Sequence, residues 1–100
     1  MTRTEALTTI HALPFVESVN LWTKVAGKER IYIEVKRYTR DGKVFGGFGG
    51  KVYIDLTNGK VMKDHHGYND SCYFNSYTQA AHTEMGSIAK LKEIAATIEA

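Results

Sequence analysis

Cysteine and long apolar runs are almost absent from this 100-residue chain, and each scarcity excludes a class of protein. Cys72 is the only cysteine, so no intrachain disulfide can form, which is typical of a reducing compartment. No apolar run approaches the roughly 20 residues that cross a bilayer, and no secretory signal pattern is visible. These absences predict a cytoplasmic protein that does not enter a membrane.

An excess of charge of one sign is also missing. The formal net charge is +2, too small for whole-molecule attraction to a nucleic acid. Hydrophobic residues make up 43% and charged residues 24%, which is ordinary globular usage and excludes a disordered or fibrous design. With this length, the composition predicts a single domain over residues 1–100.

Two amphipathic helices are predicted, one toward each end of the chain. Thr2 and Glu5 fit the S/T-x-x-E capping box, and Pro14 ends the apolar stripe that follows. Ser76 opens a second capping pattern, after which apolar residues recur at helical spacing. Gly86 lies inside this second stripe and is a point where the helix bends or splits.

Four segments between the helices alternate apolar and polar residues with a period of two, as half-buried strands do. They cover residues 18–25, 30–40, 51–57 and 60–63. Asp41-Gly42 and Asn58-Gly59 are typical of tight primed hairpin turns. The prediction is an α+β fold in α-β-β-β-β-α order, with an antiparallel meander sheet and both helices on one face.

Residues 45–51 contain four glycines followed by a lysine. Glycine lets backbone N–H groups approach a phosphate, so an anion cradle is one interpretation. The segment matches neither the G-x-x-x-x-G-K-[ST] loop nor the G-x-G-x-x-G turn, and it precedes a strand rather than a helix. A bulge that curls the sheet, or a mobile hairpin, is the alternative interpretation.

The sheet face away from the helices is expected to stay open, and it combines aromatic rings with cations. The candidate ligand-binding residues are Trp22, Arg30, Tyr32, Lys36, Tyr38, Arg40, Lys51 and Tyr53. Rings stack on bases and cations neutralise phosphate, as on open sheets that bind single-stranded nucleic acid. The leading hypothesis is a non-enzymatic, cofactor-free binding protein for a nucleotide or a nucleic acid.

The same face supports a hypothesis of a different class. Tyr, Trp and Arg also dominate the hot spots of protein interfaces, so the face is equally typical of a homodimer or of an inhibitor of a larger protein. Strands favour aromatic residues in any case, and Lys and Arg keep an exposed sheet soluble. Composition leaves these alternatives open.

Residues 64–75 are polar and aperiodic, and they contain most candidates for a metal site. The candidate ligands are His65, His66, Asp70, Cys72, His82 and Glu84. Their spacing is not a recognised zinc pattern. Cys72 beside a histidine would also suit nucleophilic catalysis. Solvated histidines and a buried thiol are the simpler interpretation, so the sequence favours neither a metal nor an enzyme.

The order of elements resembles that of the double-stranded RNA-binding domain. In that family, basic residues at the start of the last helix are expected to dock on RNA. Residues 77–84 contain no Lys or Arg here, so the resemblance is one of topology.

A short tract resembles another class. Leu21-Trp22-Thr23-Lys24 followed by Arg30-Ile31-Tyr32-Ile33 is similar to tracts of short phage- or plasmid-type accessory proteins. That class includes inhibitors of host defence, anti-CRISPR proteins among them, and binders of signalling nucleotides. The resemblance implies an anti-defence or nucleotide-binding role and assigns no site residues.

Overall fold

Two helices and four strands follow one another in the predicted order. The computed structural model describes residues 1–25, 27–38, 44–63 and 86–99, with side chains left out at 37, 38, 44–49 and 63. The elements are α1 (Arg3–His11), β1 (Val16–Trp22), β2 (Arg30–Tyr38), β3 (Val44–Asp55), β4 (Lys60–Lys63) and α2 (Ser87–Ala96). The strands pair antiparallel in the order β1-β2-β3-β4, which confirms the predicted α+β meander.

Helix α1 begins at the predicted capping box. The Thr2 hydroxyl accepts a hydrogen bond from the Glu5 amide at 3.1 Å, and the Glu5 carboxylate accepts one from the Thr2 amide at 3.0 Å. The bond from the Thr2 backbone is the larger cause that lowers the pKa of Glu5 below its ordinary value. The box therefore weakens as the pH falls through that lowered pKa.

A Thr2→Ala variant is expected to lower the free energy of unfolding by about 1 kcal/mol, because the first helical turn loses a side-chain acceptor. Urea denaturation measures the loss. Thr9→Ala makes the same chemical change at an exposed position inside α1 and is the matched control. Equal losses in the two variants would contradict a role for the cap.

The core lies between the sheet and the two helices. Helix α1 packs on β1 and helix α2 on β4, and the helices touch each other. The Glu99 amide donates to the Met1 carbonyl at 2.8 Å, which joins the outer ends of the two helical segments. The buried apolar side chains are Ala6, Ile10, Phe15, Val16, Ile31, Ile33, Val35, Val52, Ile54, Leu91, Ile94 and Ala95. Both helices thus cover one face of the sheet, as predicted.

Strand β1 begins and ends earlier than predicted. Val16 already pairs with Val35, and a register shift before Ser18 leaves Glu17 as a bulge. The cause is a long-range contact, because the Phe15 carbonyl accepts the Lys36 amide at 2.9 Å and draws the chain into the sheet directly after α1. After Trp22 the chain leaves the sheet, so the prediction of a strand through residue 25 was wrong.

The glycine-rich residues lie within β3. Val35 pairs with Gly50, Lys36 with Phe48 and Arg37 with Phe45, so β3 contains extra residues at two places. This register confirms the bulge interpretation. Bulges increase the local twist, so this end of the β2–β3 hairpin turns relative to the rest of the sheet.

A four-residue loop joins β3 to β4, and the predicted two-residue primed turn was wrong. Asp55 pairs with Lys60, and only Gly59 has a positive φ, 72°, whereas a type I′ turn needs positive φ at both central residues. The Asp55 carboxylate accepts the Thr57 amide and the Asn58 side chain accepts the Lys60 amide, each at 2.9 Å. These side-chain bonds stabilise the longer loop.

Helix α2 begins directly after Gly86, whose φ of 68° is not helical. The predicted second helix is therefore interrupted at this glycine. Its earlier part, the polar residues 64–75 and the turn at Asp41-Gly42 lie outside the described residues. In the part of the chain that is described, neither helix has the length and apolar character needed to span a membrane.

Candidate ligand-binding face

The strand register assembles a polar and aromatic surface on the sheet face away from the helices. Directly opposed residues of antiparallel strands share a face, and Tyr32 pairs with Asn20 on one side and Tyr53 on the other. Met62 extends the same row onto β4. We call this surface the outer face; it comprises Ser18, Asn20, Trp22, Arg30, Tyr32, Glu34, Lys36, Lys51, Tyr53, Asp55, Lys60 and Met62.

Three aromatic rings form one continuous cluster across β1, β2 and β3. Trp22 meets Tyr32 edge to face, with ring centroids 6.4 Å apart and planes at 83°. Tyr32 meets Tyr53 at 5.6 Å and 51°. All three side chains are half-buried. Such tilted pairs are favoured by the ring quadrupoles, so the cluster holds a defined shape without a ligand.

Two cations lie against these rings. The guanidinium carbon of Arg30 is 4.2 Å from the centroid of Tyr53, and the Lys51 ammonium is 5.6 Å from the centroid of Tyr32. Arg30 Nη1 also donates to the Tyr32 hydroxyl at 3.0 Å. This bond is the main reason why the pKa of Arg30 is raised above its usual value. The guanidinium is thereby fixed in place between two tyrosines.

Asp55 stands opposite Arg30 in the register and attracts its charge. Within the described ranges, no ion pair joins Arg30 or Lys51 to an acidic side chain. The acids of the outer face make local hydrogen bonds instead: Glu34 accepts from Ser18 Oγ at 2.6 Å and Asp55 from the Thr57 amide. Arg30 Nε is shielded from solvent and has no hydrogen-bond partner. One donor of the guanidinium is therefore left unsatisfied.

The structure brings together five of the eight predicted ligand-binding residues: Trp22, Arg30, Tyr32, Lys51 and Tyr53. Lys36 lies farther along β2, beside the bulges. Tyr38 is the last residue of that strand, and its side chain is not among those described. Arg40 lies beyond the described residues.

Six members of the outer face are not among the predicted ligand-binding residues: Ser18, Asn20, Glu34, Asp55, Lys60 and Met62. The alternation within each strand contains the signal for all six. The candidate metal ligands His65, His66, Asp70, Cys72, His82 and Glu84 lie outside the described residues. Among the residues that the structure describes, no three His, Cys, Asp or Glu side chains are close enough to hold a metal ion.

No family model, curated protein or solved structure matches this chain. The resemblances to RNA-binding domains and to accessory proteins stay predictions. The outer face itself is therefore the main indication of function.

Proposed function

We propose that this is a non-enzymatic binding protein whose outer face holds a phosphate-bearing ligand, either a nucleotide or a single-stranded nucleic acid. The observation that carries the proposal is the set of contacts made by the charged Arg30 side chain. Its guanidinium is charged, is held in place by Tyr32 and Tyr53, and makes no ion pair with an acidic side chain in the described part of the chain. Asp55, which stands opposite Arg30 in the register, attracts it without direct contact.

The geometry of Arg30 supports a phosphate contact. Nη1 donates one of its two hydrogens to the Tyr32 hydroxyl, and Nε is shielded from solvent, which leaves the edge formed by Nη2 and the second hydrogen of Nη1. That edge is a two-pronged donor that matches two oxygens of a phosphate.

The ring cluster supports stacking, but at fewer places than the sequence suggested. Arg30 already covers one side of Tyr53, and Lys51 lies over Tyr32. A base therefore stacks on Trp22 or on the outer plane of the Arg30 guanidinium, since arginine planes stack on rings as well. Lys51 is then placed beside the stacked base, where it neutralises a second phosphate.

The test is a titration of the full chain with a labelled single-stranded oligonucleotide and with a purine nucleoside triphosphate over a range of salt concentrations. Affinity is expected to fall as salt rises, because binding releases counterions. Two phosphate contacts give a log–log slope of about −1.4 for a single strand. The uncharged nucleoside is the control and should show little salt dependence. Absence of binding at low salt, or salt-independent binding, would refute the proposal.

One observation favours the second candidate, a protein partner such as a host-defence enzyme that this chain inhibits. Cations lie over Tyr32 and Tyr53 before any ligand binds, so little ring surface is left for a base. The cluster also consists of Tyr, Trp and Arg, the residue types that dominate hot spots of protein interfaces. Such a surface docks on another protein without rearrangement. A chain that binds neither nucleotide nor oligonucleotide in the titration above would move the assignment to this candidate.

A further inference from the structure

The outer edge of β1 and the outer edge of β4 are built differently. Among the described residues, each of these strands pairs on one side only. β4 has four residues with a lysine at each end, and short length and lysine both discourage pairing with another chain. β1 has seven residues and one charge, Glu17. The edge of β1 therefore lacks these protections and offers backbone donors and acceptors to a further strand.

Apolar side chains are exposed along the same edge. Leu21 is 38% exposed and Val25, just past the strand, is 45% exposed; the third large exposed apolar side chain of the described residues is Met62. Leu7, Ala12 and Val19 line an open groove between α1 and β1. The helix side of this edge is thus incompletely covered by the described residues.

The edge is complementary to itself. If two copies of β1 run antiparallel about a two-fold axis at Asn20, Val19 of one copy lies opposite Leu21 of the other on the helix side. The exposed Lys24 of the second copy, just past the end of β1, then comes near the exposed Glu17, so opposite charges come close twice. Shifting the axis to Val19 would place Leu21 opposite Glu17, which sets a charge against an apolar side chain.

We propose that the unpaired edge of β1 binds the same edge of a second copy, antiparallel and centred on Asn20, to form a dimer with one continuous eight-stranded sheet. Backbone hydrogen bonds across the new strand pair supply the affinity, and the Val19–Leu21 pairs fix the register. This interface depends on the edge of β1 and is independent of any ligand on the outer face.

Asn20 offers a sharp test because it is exposed and lies on the proposed axis. In Asn20→Lys two lysines stand directly opposite each other with Cβ atoms about 5 Å apart, and in Asn20→Asp two aspartates do so; like charges at opposed positions disfavour either homodimer. Sedimentation velocity from low to high micromolar concentration is expected to show a dimer for the unmodified chain and monomers for each variant. An equimolar mixture of the two variants is expected to restore the dimer, because opposite charges then meet at the axis.

Met62→Lys is the matched control, since Met62 is exposed on the outer face of the opposite edge strand and its change should leave the dimer intact. Far-UV circular dichroism establishes that each variant keeps its fold. A monomeric unmodified chain at every concentration would overturn the proposal. So would a dimer that survives both Asn20 variants, a mixture that stays monomeric, or dissociation caused by Met62→Lys alone.

Discussion

Replacement of Ile33 by alanine is expected to lower the free energy of unfolding by about 2–5 kcal/mol. Ile33 is fully buried in the middle of β2, and its register partners are Val19 on one side and Val52 on the other. Because neighbouring strands fix the backbone on both sides, the site cannot collapse around the missing methylenes. A domain of this size has a total stability of only about 5–15 kcal/mol, so the variant loses a large share of it.

Urea denaturation followed by far-UV circular dichroism measures this loss as a lower midpoint with an unchanged slope. Val25→Ala removes apolar groups from a side chain that is 45% exposed and outside the strands, so its expected change is within about 0.5 kcal/mol. Similar losses at the two positions would show that the core does not lie beneath the helices.

Replacement of Arg30 by lysine is expected to weaken binding of the oligonucleotide about tenfold or more while leaving the salt dependence unchanged. Lysine keeps the positive charge, so the number of released counterions stays the same. It lacks the planar fork that can donate two parallel hydrogen bonds to a phosphate, and it does not stack as a guanidinium does. Arg30→Ala removes the charge as well, so it should lose affinity and also flatten the log–log slope by about 0.7.

Anisotropy titrations of the three proteins at several salt concentrations separate these outcomes. Lys90→Ala is the control, since Lys90 is exposed on α2, on the far side of the sheet, and pairs with Glu93. It should bind as the unmodified chain does. An Arg30→Lys variant with full affinity would show that Arg30 acts only as a point charge and would remove the two-pronged contact from the proposal.

The fold was predictable where a local pattern and a tertiary requirement agree. Ile31, Ile33 and Val35 alternate with polar residues because only one face of β2 is covered by the helices. This alternation is visible in the sequence, so it predicts which face is buried. The boundaries of β1 were not predictable in this way. The early start of β1 follows from the bond between Phe15 and Lys36, whose separation in the chain leaves no local signal.

The outer face was predictable in its membership but not in its contacts. Alternation alone assigns Trp22, Tyr32 and Tyr53 to one side of the sheet. The stack of Arg30 on Tyr53 depends on which residues of β2 and β3 stand opposite each other. The turns set this register, and the alternation of apolar and polar residues within a strand does not specify the turns. The Asn58-Gly59 prediction failed for a related reason, since nearby Asp and Asn side chains stabilised a longer loop.

The edge-to-face contact between Trp22 and Tyr32 also determines how the protein absorbs and emits light. Trp22 is the only tryptophan in the chain, and two tyrosine rings lie within the same cluster. Excitation energy absorbed by these tyrosines passes to the tryptophan over such short distances, so the emission of the folded chain originates at the outer face. The face therefore contains its own chromophore, and its fluorescence responds to events at that surface without any attached dye.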